Sequence, residues 1–393
     1  MRILLLGEYS NVHATLAKGL RALGQDVTVV SNGDFWKNYP RDIDVSRSYK
    51  KLGGIRLFAK IICLLPKMRG YDVVQLINPM FFELKAERLL PIYKYLRKHN
   101  KKIFLGAFGM DYYWVHENIT RFPLRYSDFN FGHTLRTDEE ALKEEKDWIG
   151  TNKENLNKYI AEDCDGIIAG LYEYLACYKP IFPKKTTFIP FPITIQSSKF
   201  KVQSNKNHKV QTSNFKPQSN SNHKVQSSNF KVQSIKLFIG INKNRSRYKG
   251  TDIMLAAAKA VKEKYPDKIE LRIAEGLPFY KYIELMQGSD AIMDQLYSYT
   301  PAMNALEAMG RGIIVIGGGE EENYDILGEK KLRPIVNVQP NYDSVYHELE
   351  QLVLHPERIP SLKEQSIEYI KRHHDYIKVA SQYLQFYKNI KSK

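Results

Sequence analysis

The sequence predicts an α/β protein with two parallel-sheet domains joined at one point. Short apolar segments alternate with segments of helical hydrophobic spacing before residue 195, and the same alternation restarts near residue 235. Continuous apolar strands between helices are typical of a parallel sheet that helices cover on both faces. The length of 393 residues suits two domains of about 150–200 residues each. Two such domains leave a cleft between them, the usual ligand site of this class.

Six predicted strands and two predicted helices make up the first half. The strands are the apolar segments 2–6, 26–30, 71–76, 102–107, 165–169 and 187–190. The helices are 14–23, which Gly24 ends, and 82–98. The first residues hold one cation, a short apolar run and no small-residue cleavage site, which favours a first strand over a signal peptide.

The second half repeats this pattern. Its predicted strands are 236–240, 269–274, 291–293 and 313–316, and its predicted helices are 251–264, 278–286 and 301–309. From Tyr342 the chain is predicted to be helical to its end. The domain boundary is therefore expected within residues 195–235.

The segment between the halves is a tandem repeat. Residues 200–214 recur as 215–229 with 12 of 15 positions identical, and a third copy begins at 230–234. The repeat holds too few apolar residues to form a core, so disorder is expected over 196–234. An inert duplicated linker is the favoured interpretation, and binding of single-stranded nucleic acid is the alternative.

The net charge of +16 has two main sources. Residues 196–236 hold eight lysines and no acid, and residues 51–110 hold twelve cations against three acids. Within the second region, residues 53–70 form a basic amphipathic segment. Two interpretations of this segment stay open: a helix packed on the first domain, and a helix in contact with an anionic membrane surface.

The composition excludes a wholly disordered chain and an integral membrane protein. Apolar residues are 43 % and charged residues 26 % of the chain, which are globular values. No apolar stretch approaches the about 18 residues that a membrane-spanning helix needs. The three cysteines lack metal-ligand and disulfide spacing, which suits a reducing cytoplasm.

Residues 299–319 predict a helix N-terminus at the carboxyl edge of the second sheet. Thr300 is a suitable N-cap and Pro301 a suitable first helical residue. The free backbone N–H groups near residues 302–304 would then suit a diphosphate. Glu307 lies two turns into this helix, where its carboxylate would accept hydrogen bonds from ribose hydroxyls. The alternative is an ordinary buried helix with a solvated Glu307.

The loop after the first strand of the second domain is strongly basic. Lys243, Arg245, Arg247 and Lys249 fall within seven residues, with no acid before Asp252. Cations that converge on a strand-to-helix turn are suited to clamping phosphates. Because both anion-binding features follow strands of one domain, a merely solvated basic loop is disfavoured.

In their order and spacing, these motifs resemble the nucleotide-sugar domain of GT-B glycosyltransferases, particularly the large retaining family 4. The matching residues are Lys249 with Gly250, Ser289 with Asp290, 306–312 and 318–322. Residues 1–30 resemble the family's first strand, helix and strand, residues 334–340 resemble its last strand, and residues 343–388 resemble its closing helices. The resemblance covers nearly everything except the repeat.

The resemblance implies two Rossmann-like domains that face each other across a cleft. The acceptor-side domain would span 1–195, the nucleotide-sugar domain 235–375, and a closing helix, 376–393, would return to the first domain. It implies retaining transfer of a hexosyl group from a nucleotide diphosphate sugar, with no metal and no other cofactor. The D-x-D spacing at 163–165 is therefore interpreted as an ordinary strand start.

The resemblance also implies roles for individual residues. On the acceptor side these are Glu8, Ser10, His13 and Gly109, and the catalytic candidates are Asp111, Arg247 and Lys249. The donor-binding candidates are Arg245, Arg247, Lys249, Tyr299, Met303, Asn304 and Glu307.

Two positions depart from the family pattern. Tyr299 stands where the family's first motif Glu contacts the donor sugar, and Phe108 stands where its His approaches the transferred sugar. Sugar recognition must therefore differ in this chain. Near Phe108, the Asp of the family pattern is present as Asp111, and His116 is close in sequence. The possibility that the enzyme is inactive or has an altered activity stays open.

The predicted function is glycosyl transfer to a glycan or lipid-linked acceptor in bacterial surface polysaccharide synthesis. The expected location is the cytoplasm or the inner face of the cytoplasmic membrane. The alternatives are a GT-B-fold nucleotide-sugar epimerase and a non-catalytic polyanion-binding protein. Nucleic acid is not an expected partner, since no nucleic-acid motif is present.

Overall fold

The computed structural model describes residues 1–195, 234–277 and 279–390. The predicted disorder of 196–234 concerns residues that, apart from Ser234, lie outside this description. The described residues form two parallel sheets that follow one another along the chain.

The first sheet has seven parallel strands. They are β1 (Arg2–Leu6), β2 (Asp26–Ser31), β3 (Ile43–Asp44), β4 (Val73–Leu76), β5 (Lys102–Ala107), β8 (Gly166–Ala169) and β9 (Thr186–Phe188). Their spatial order is β3-β2-β1-β4-β5-β8-β9. Two further short strands, β6 (Asn130–Phe131) and β7 (Thr134–Leu135), form a separate antiparallel pair. All six strands predicted for this half are present, and β3, β6 and β7 are additional.

Helices cover both faces of the first sheet. They are α1 (Val12–Ala22), α2 (Gly53–Leu64), α3 (Ala86–His99), α4 (Tyr112–Thr120), α5 (Glu139–Trp148), α6 (Asn152–Asp163) and α7 (Tyr172–Tyr178). Alternate residues of β1 enter two different cores, Leu4 and Leu6 in one and Ile3 and Leu5 in the other. This double burial explains why the strand is a continuous apolar run.

The second sheet has five parallel strands. They are β10 (Ile235–Ile241), β11 (Ile269–Glu275), β12 (Ala291–Met293), β13 (Ile314–Gly317) and β14 (Val336–Asn337), in the order β11-β10-β12-β13-β14. Its helices are α8 (Ser246–Lys249), α9 (Thr251–Lys264), α10 (Phe279–Met286), α11 (Met303–Met309), α12 (Glu321–Leu327), α13 (Tyr342–Leu354) and α14 (Ile359–Tyr369). The α/β prediction is therefore confirmed in both halves.

The last helix, α15 (Tyr376–Asn389), packs against the first sheet and α1. The Tyr387 hydroxyl donates to Gln75 Oε1 at 3.2 Å, and Lys102 Nζ donates to the Tyr387 carbonyl at 2.8 Å. A Cβ atom on Gly19 would lie 2.3 Å from the Tyr376 carbonyl oxygen, so the close approach of α1 and α15 needs glycine there.

Helix α2 and the turn after it pack by one face only. Leu57, Ile61, Leu65 and Met68 are buried in the core of the first sheet. The outer face stays exposed and carries both apolar and basic side chains: Ile55, Arg56, Lys60, Ile62, Lys67 and Arg69. Within the described ranges, no helix combines the length and the apolar character needed to cross a bilayer.

The D-x-D segment lies where a strand begins. Asp165 Oδ2 accepts a hydrogen bond from the Ile103 backbone N–H at 2.7 Å and pairs with Arg97. Asp163 accepts from the Tyr93 hydroxyl at 2.7 Å. Among the described residues, no group of three or more His, Cys, Asp or Glu side chains is arranged to hold a metal ion.

Candidate active site between the two sheets

The carboxyl edges of the two sheets face each other across a cleft. From the loop after β1, the Asn11 side chain donates a hydrogen bond to Glu307 in α11. From the loop after β2, Tyr39 lies within electrostatic range of Glu307, and Lys37 within that of Lys249. The loops that follow strands of both sheets therefore border one space, as the sequence predicts for ligand binding.

A tight turn places Lys249 in this cleft. Gly250 has a φ of +72°, and a Cβ atom there would lie 2.5 Å from Leu296 Cβ, so only glycine fits. The Lys249 carbonyl accepts the Leu296 backbone N–H at 3.0 Å, which joins the loops after β10 and β12. Burial lowers the pKa of the Lys249 ammonium, Asp294 opposes this shift, and the charges of Arg245 and Lys37 add to it.

Asp294 is a site residue that the sequence reasoning missed. Its Oδ1 accepts from Asn304 Nδ2 at 2.8 Å, and Asn304 Oδ1 accepts from the Tyr282 hydroxyl at 3.0 Å. Burial raises the pKa of Asp294, and Lys249 is the largest opposing influence. Lys249, Asp294 and Asn304 thus form one polar cluster. The available signal was a carboxylate directly after the strand 291–293, where the ends of parallel strands converge on ligands.

The structure separates the two arginines that are donor-binding candidates. Arg245 Nε lies 3.3 Å from Glu140 Oε1 of the first domain, and its guanidinium lies 5.0 Å from the Tyr248 ring centroid. Arg247 is exposed, and its carbonyl accepts from Arg136 Nη2 at 2.9 Å. Of the two, Arg245 is the one whose charge acts on Lys249.

Glu307 reaches the cleft, whereas Met303 does not. Burial raises the pKa of Glu307, and Arg311, whose Nη2 lies 3.8 Å from Glu307 Oε2, opposes this shift. Met303 is only 6 % exposed and lies in the apolar core. The Met303 side chain fills the core beneath α11, and the role of this residue in donor binding stays a prediction.

The helix that carries Glu307 starts later than predicted. It begins at Met303 with Ala302 as its N-cap, so the prediction of Thr300 as the cap is wrong. Glu173, in α7 of the first domain, binds Thr300 and the residue before it. Its carboxylate accepts the backbone N–H groups of Tyr299 at 2.7 Å and of Thr300 at 3.0 Å, and also the Thr300 hydroxyl.

Tyr299 contacts the first domain. Its hydroxyl accepts the backbone N–H of Arg125 at 2.7 Å, and its ring centroid lies 4.7 Å from that of Tyr126. The side chain is 1 % exposed. The aromatic ring at the family's Glu position thus packs across the domain boundary, and a donor contact by Tyr299 stays a prediction.

Neighbouring charges strengthen this contact between the domains. Arg125 Nη2 lies 2.8 Å from Glu320 Oε2, and its Nη1 pairs with Glu322. The Tyr126 hydroxyl donates to Glu320 Oε1 at 2.8 Å. Hydrogen bonding to Glu322 raises the pKa of the Arg125 guanidinium. None of these contacts was predicted, although Glu320 and Glu322 belong to the motif match at 318–322, because each pair joins residues nearly two hundred positions apart.

On the acceptor side, Glu8 acts as the cap of α1. Its Oε1 accepts the His13 backbone N–H at 3.2 Å and its Oε2 accepts that of Ala14 at 2.8 Å. Asn11, the residue before the helix, makes no side-chain cap hydrogen bond. Burial raises the pKa of Glu8 to about 8. The Glu8 carboxyl group therefore occupies the anion-binding end of α1.

His13 and Gly109 lie near Glu8 but make mainly apolar contacts. His13 is fully buried, its Nδ1 lies 2.8 Å from the Gly7 carbonyl oxygen, and its ring meets Phe108 edge-on. Burial lowers the pKa of His13 to about 3. A Cβ atom on Gly109 would lie 3.4 Å from the Tyr9 ring. The structure thus groups the predicted acceptor-side residues around the ends of β1 and β5.

Asp111 is a helix cap. Its Oδ1 accepts the Trp114 backbone N–H at 2.8 Å, and its Oδ2 accepts the Tyr178 hydroxyl at 2.8 Å. The side chain has no exposed surface, and burial raises its pKa to about 7. The geometry shows a capping role for Asp111 at the start of α4, and its catalytic role stays a prediction.

A cavity of about 750 Å³ opens beside Glu8 in the first domain. Its lining is largely apolar and includes Phe81, Phe82, Met110 and Trp148. Charged side chains also border it, namely Arg47, Glu83, Lys85, Asp147 and Lys153. The cavity lining combines apolar and charged side chains, which suits a bulky amphiphilic ligand.

Comparison with known proteins gives matches by structure only. No protein-family profile and no curated protein sequence matches the chain. Anabaena HepE in complex with UDP-glucose matches with a TM-score of 0.56 at 10 % identity, over 98 % of this chain and 98 % of that one. Sucrose-phosphate synthase from Thermosynechococcus elongatus gives 0.55 at 12 % identity, over 99 % and 98 %.

A putative UDP-N-acetylglucosamine 2-epimerase from Listeria monocytogenes gives a TM-score of 0.53 at 11 % identity, over 98 % of this chain and 94 % of that one. At such identities the likeness concerns the fold. The two parallel sheets, the cleft between their carboxyl edges and the returning last helix all belong to the same architecture. The chain therefore has the GT-B fold of glycosyltransferases.

Proposed function

We propose that the protein transfers a hexosyl group from a nucleotide diphosphate sugar to an acceptor bound on the first domain. The observation that carries this proposal is the position of Lys249 and Glu307. Both follow strands of the second sheet and both face the cleft of a GT-B fold. Lys249 would bind the diphosphate with Arg245, and Glu307 would accept the ribose hydroxyls.

The proposed chemistry is electrostatic. The bond between the sugar C1 and the diphosphate oxygen breaks, and its electron pair leaves with the diphosphate. A bond forms between C1 and an acceptor hydroxyl oxygen, whose proton passes to the departing diphosphate oxygen. Negative charge grows on the departing diphosphate, where a fixed ammonium group stabilises the transition state more than the ground state. The family resemblance supports attack on the face from which the diphosphate leaves, with retention of configuration and without a metal ion.

Two features of the first domain support the proposal of a lipid-linked acceptor. The cavity beside Glu8 is bordered by Val45 and Arg47, which lie just before α2 in the chain. The outer face of α2 exposes Ile55 and Ile62 beside basic residues. A membrane with anionic headgroups would attract this face and bring an amphiphilic acceptor to the cavity. We place the protein at the inner face of the cytoplasmic membrane, in surface polysaccharide synthesis.

A thermal-shift screen with UDP, GDP, ADP and their sugars tests the donor site. The wild-type protein should be stabilised by one nucleotide series. Lys249→Ala should lose that stabilisation and reduce turnover by roughly 100-fold or more. Lys259→Ala, an exposed lysine of α9 in the same domain, is the matched control and should behave as wild type. Equal activity of Lys249→Ala and wild type would refute the diphosphate role.

An epimerase is the second candidate, favoured by the likeness to the Listeria protein. Transfer requires an acceptor and moves the sugar away from the nucleotide. Epimerisation changes the sugar without any acceptor. Separating the products after incubation with a labelled nucleotide sugar alone distinguishes the two.

A further inference from the structure

The loop after β2 brings a lysine of the first domain into the cleft. Lys37 Nζ donates to Asp34 Oδ2 at 2.6 Å and to Ser10 Oγ at 3.2 Å. The same Asp34 oxygen accepts the Ser10 backbone N–H at 2.8 Å. An ammonium group has three N–H donors, so one is left for a ligand. The Lys37 side chain is 23 % exposed, enough for a ligand to reach it.

We propose that Lys37 is a second diphosphate-binding residue, which contacts the donor from the first domain while Lys249 contacts it from the second. The inference rests on the proposed function and adds the contribution of the opposite domain. It concerns a residue outside every motif that carries the family resemblance.

The backbone around Lys37 is held in an uncommon conformation. Positive φ values occur at Ser10 (50°), Asn11 (70°), Asp34 (57°), Phe35 (57°) and Asn38 (52°). They account for five of the seven non-glycine residues with positive φ in the described chain. Such residues cost on the order of 1 kcal/mol each and persist where surrounding contacts enforce them. Their concentration in these two loops fixes the lysine at the cleft.

In the first domain, a diphosphate must be bound by a side chain, because the nearby helix end is occupied. The N-terminal N–H groups of α1, which would otherwise suit a phosphate, already donate to both carboxylate oxygens of Glu8. A diphosphate that enters the cleft therefore finds this end of α1 filled. In the loop after β2, Lys37 is a cation held beside Ser10, which lies just before α1.

The two lysines act on each other across the cleft. The positive charge of Lys37 is one of the influences that lower the pKa of Lys249. In the neighbouring loops, Asn11 donates a hydrogen bond to Glu307, the proposed ribose-binding residue, and Tyr39 lies within electrostatic range of it. The loops that carry Lys37 and Asn11 are therefore close to both Lys249 and Glu307. Both ammonium groups would attract a diphosphate bound between them.

Calorimetric titration of Lys37→Met tests the inference. The probes are inorganic pyrophosphate, the nucleoside diphosphate that binds the wild type best, and the corresponding nucleoside. Loss of a charge-assisted hydrogen bond should raise both phosphate dissociation constants by roughly 10- to 100-fold and leave the nucleoside unaffected. Lys37→Arg should retain most of the affinity. Lys143→Met, an exposed lysine of α5, is the control.

The outcomes separate this inference from the proposed function. If the wild type binds no nucleoside diphosphate, both are overturned. If Lys249→Met weakens diphosphate binding but Lys37→Met, with a wild-type melting temperature, binds as tightly as Lys143→Met, the Lys37 inference alone is overturned. A Lys37→Met effect that is equal for nucleoside and diphosphate would also overturn it, because it would show a general loss of cleft structure.

Discussion

The hydroxyl of Tyr299, in the second domain, accepts the backbone N–H of Arg125, in the first, at 2.7 Å. The Tyr126 backbone N–H also donates to it, at 3.3 Å. Tyr299→Phe removes this acceptor and should lower the free energy of unfolding by about 1 kcal/mol. Affinity for the nucleotide sugar should stay within twofold, because the side chain faces the other domain.

Urea denaturation and calorimetry measure both quantities for this variant. Tyr280→Phe is the matched control, since Tyr280 is 67 % exposed and should change neither quantity. A large loss of donor affinity in Tyr299→Phe at unchanged stability would show that Tyr299 contacts the donor sugar after all.

Glu173 is the buried link between α7 and the loop before α11. It accepts two backbone N–H groups and one hydroxyl from the second domain. Glu173→Gln retains one acceptor oxygen and places an NH₂ group against a donor. We expect a loss of about 1–3 kcal/mol in unfolding free energy. Urea denaturation checks this, with Glu139→Gln on the exposed side of α5 as the control.

The raised pKa of Glu8 leads to a defined dependence of stability on pH. Burial raises its pKa from 4.5 to about 8, so the folded state keeps a proton that the unfolded state releases. Its contribution to stability therefore falls as pH rises between these values. Glu8→Gln should flatten this decline. Between pH 6.5 and 7.5 the difference in slope between wild type and variant reports Glu8, because Asp111, whose pKa burial raises to about 7, contributes equally to both proteins. Equal slopes for wild type and variant would contradict the prediction.

We predict that the outer face of α2 binds anionic membranes. Wild-type protein should sediment with vesicles that contain phosphatidylglycerol, less so at high salt, and not with phosphatidylcholine alone. Changing Arg56, Lys60 and Lys67 to Gln should weaken binding roughly 100-fold, at about 1 kcal/mol per cation. The control changes the three exposed lysines at positions 94, 98 and 101 to Gln. Equal loss in both variants would show an effect of net charge only.

Much of the fold follows from local sequence patterns. Strands 2–6, 102–107 and 291–293 and helix 251–264 agree with the structure at both ends, because each is a clear apolar run or amphipathic period with a defined stop. The sequence also predicts which edge of each sheet borders the cleft, since parallel strands have their carboxyl ends at one edge. Lys249 and Glu307 lie there for that reason.

The remainder of the site depends on contacts between distant residues. Thr300 has the features of a helix cap, but Glu173, 127 positions away, takes its N–H and hydroxyl groups. Tyr299 carries no local sign that it packs on Arg125. Lys37 is a single lysine in a loop, and only its hydrogen bonds to Ser10 and Asp34 show its direction.

The most direct test of the central claim is an acceptor-dependence measurement. Wild-type protein and Lys249→Ala are incubated with the nucleotide sugar that stabilises the wild type, labelled in the sugar, with and without a lipid extract of bacterial membranes. We predict release of the nucleoside diphosphate and transfer of label to the lipid fraction only with wild type and extract together. Label that stays on the nucleotide under all conditions, or transfer that is equal with Lys249→Ala, would contradict the claim.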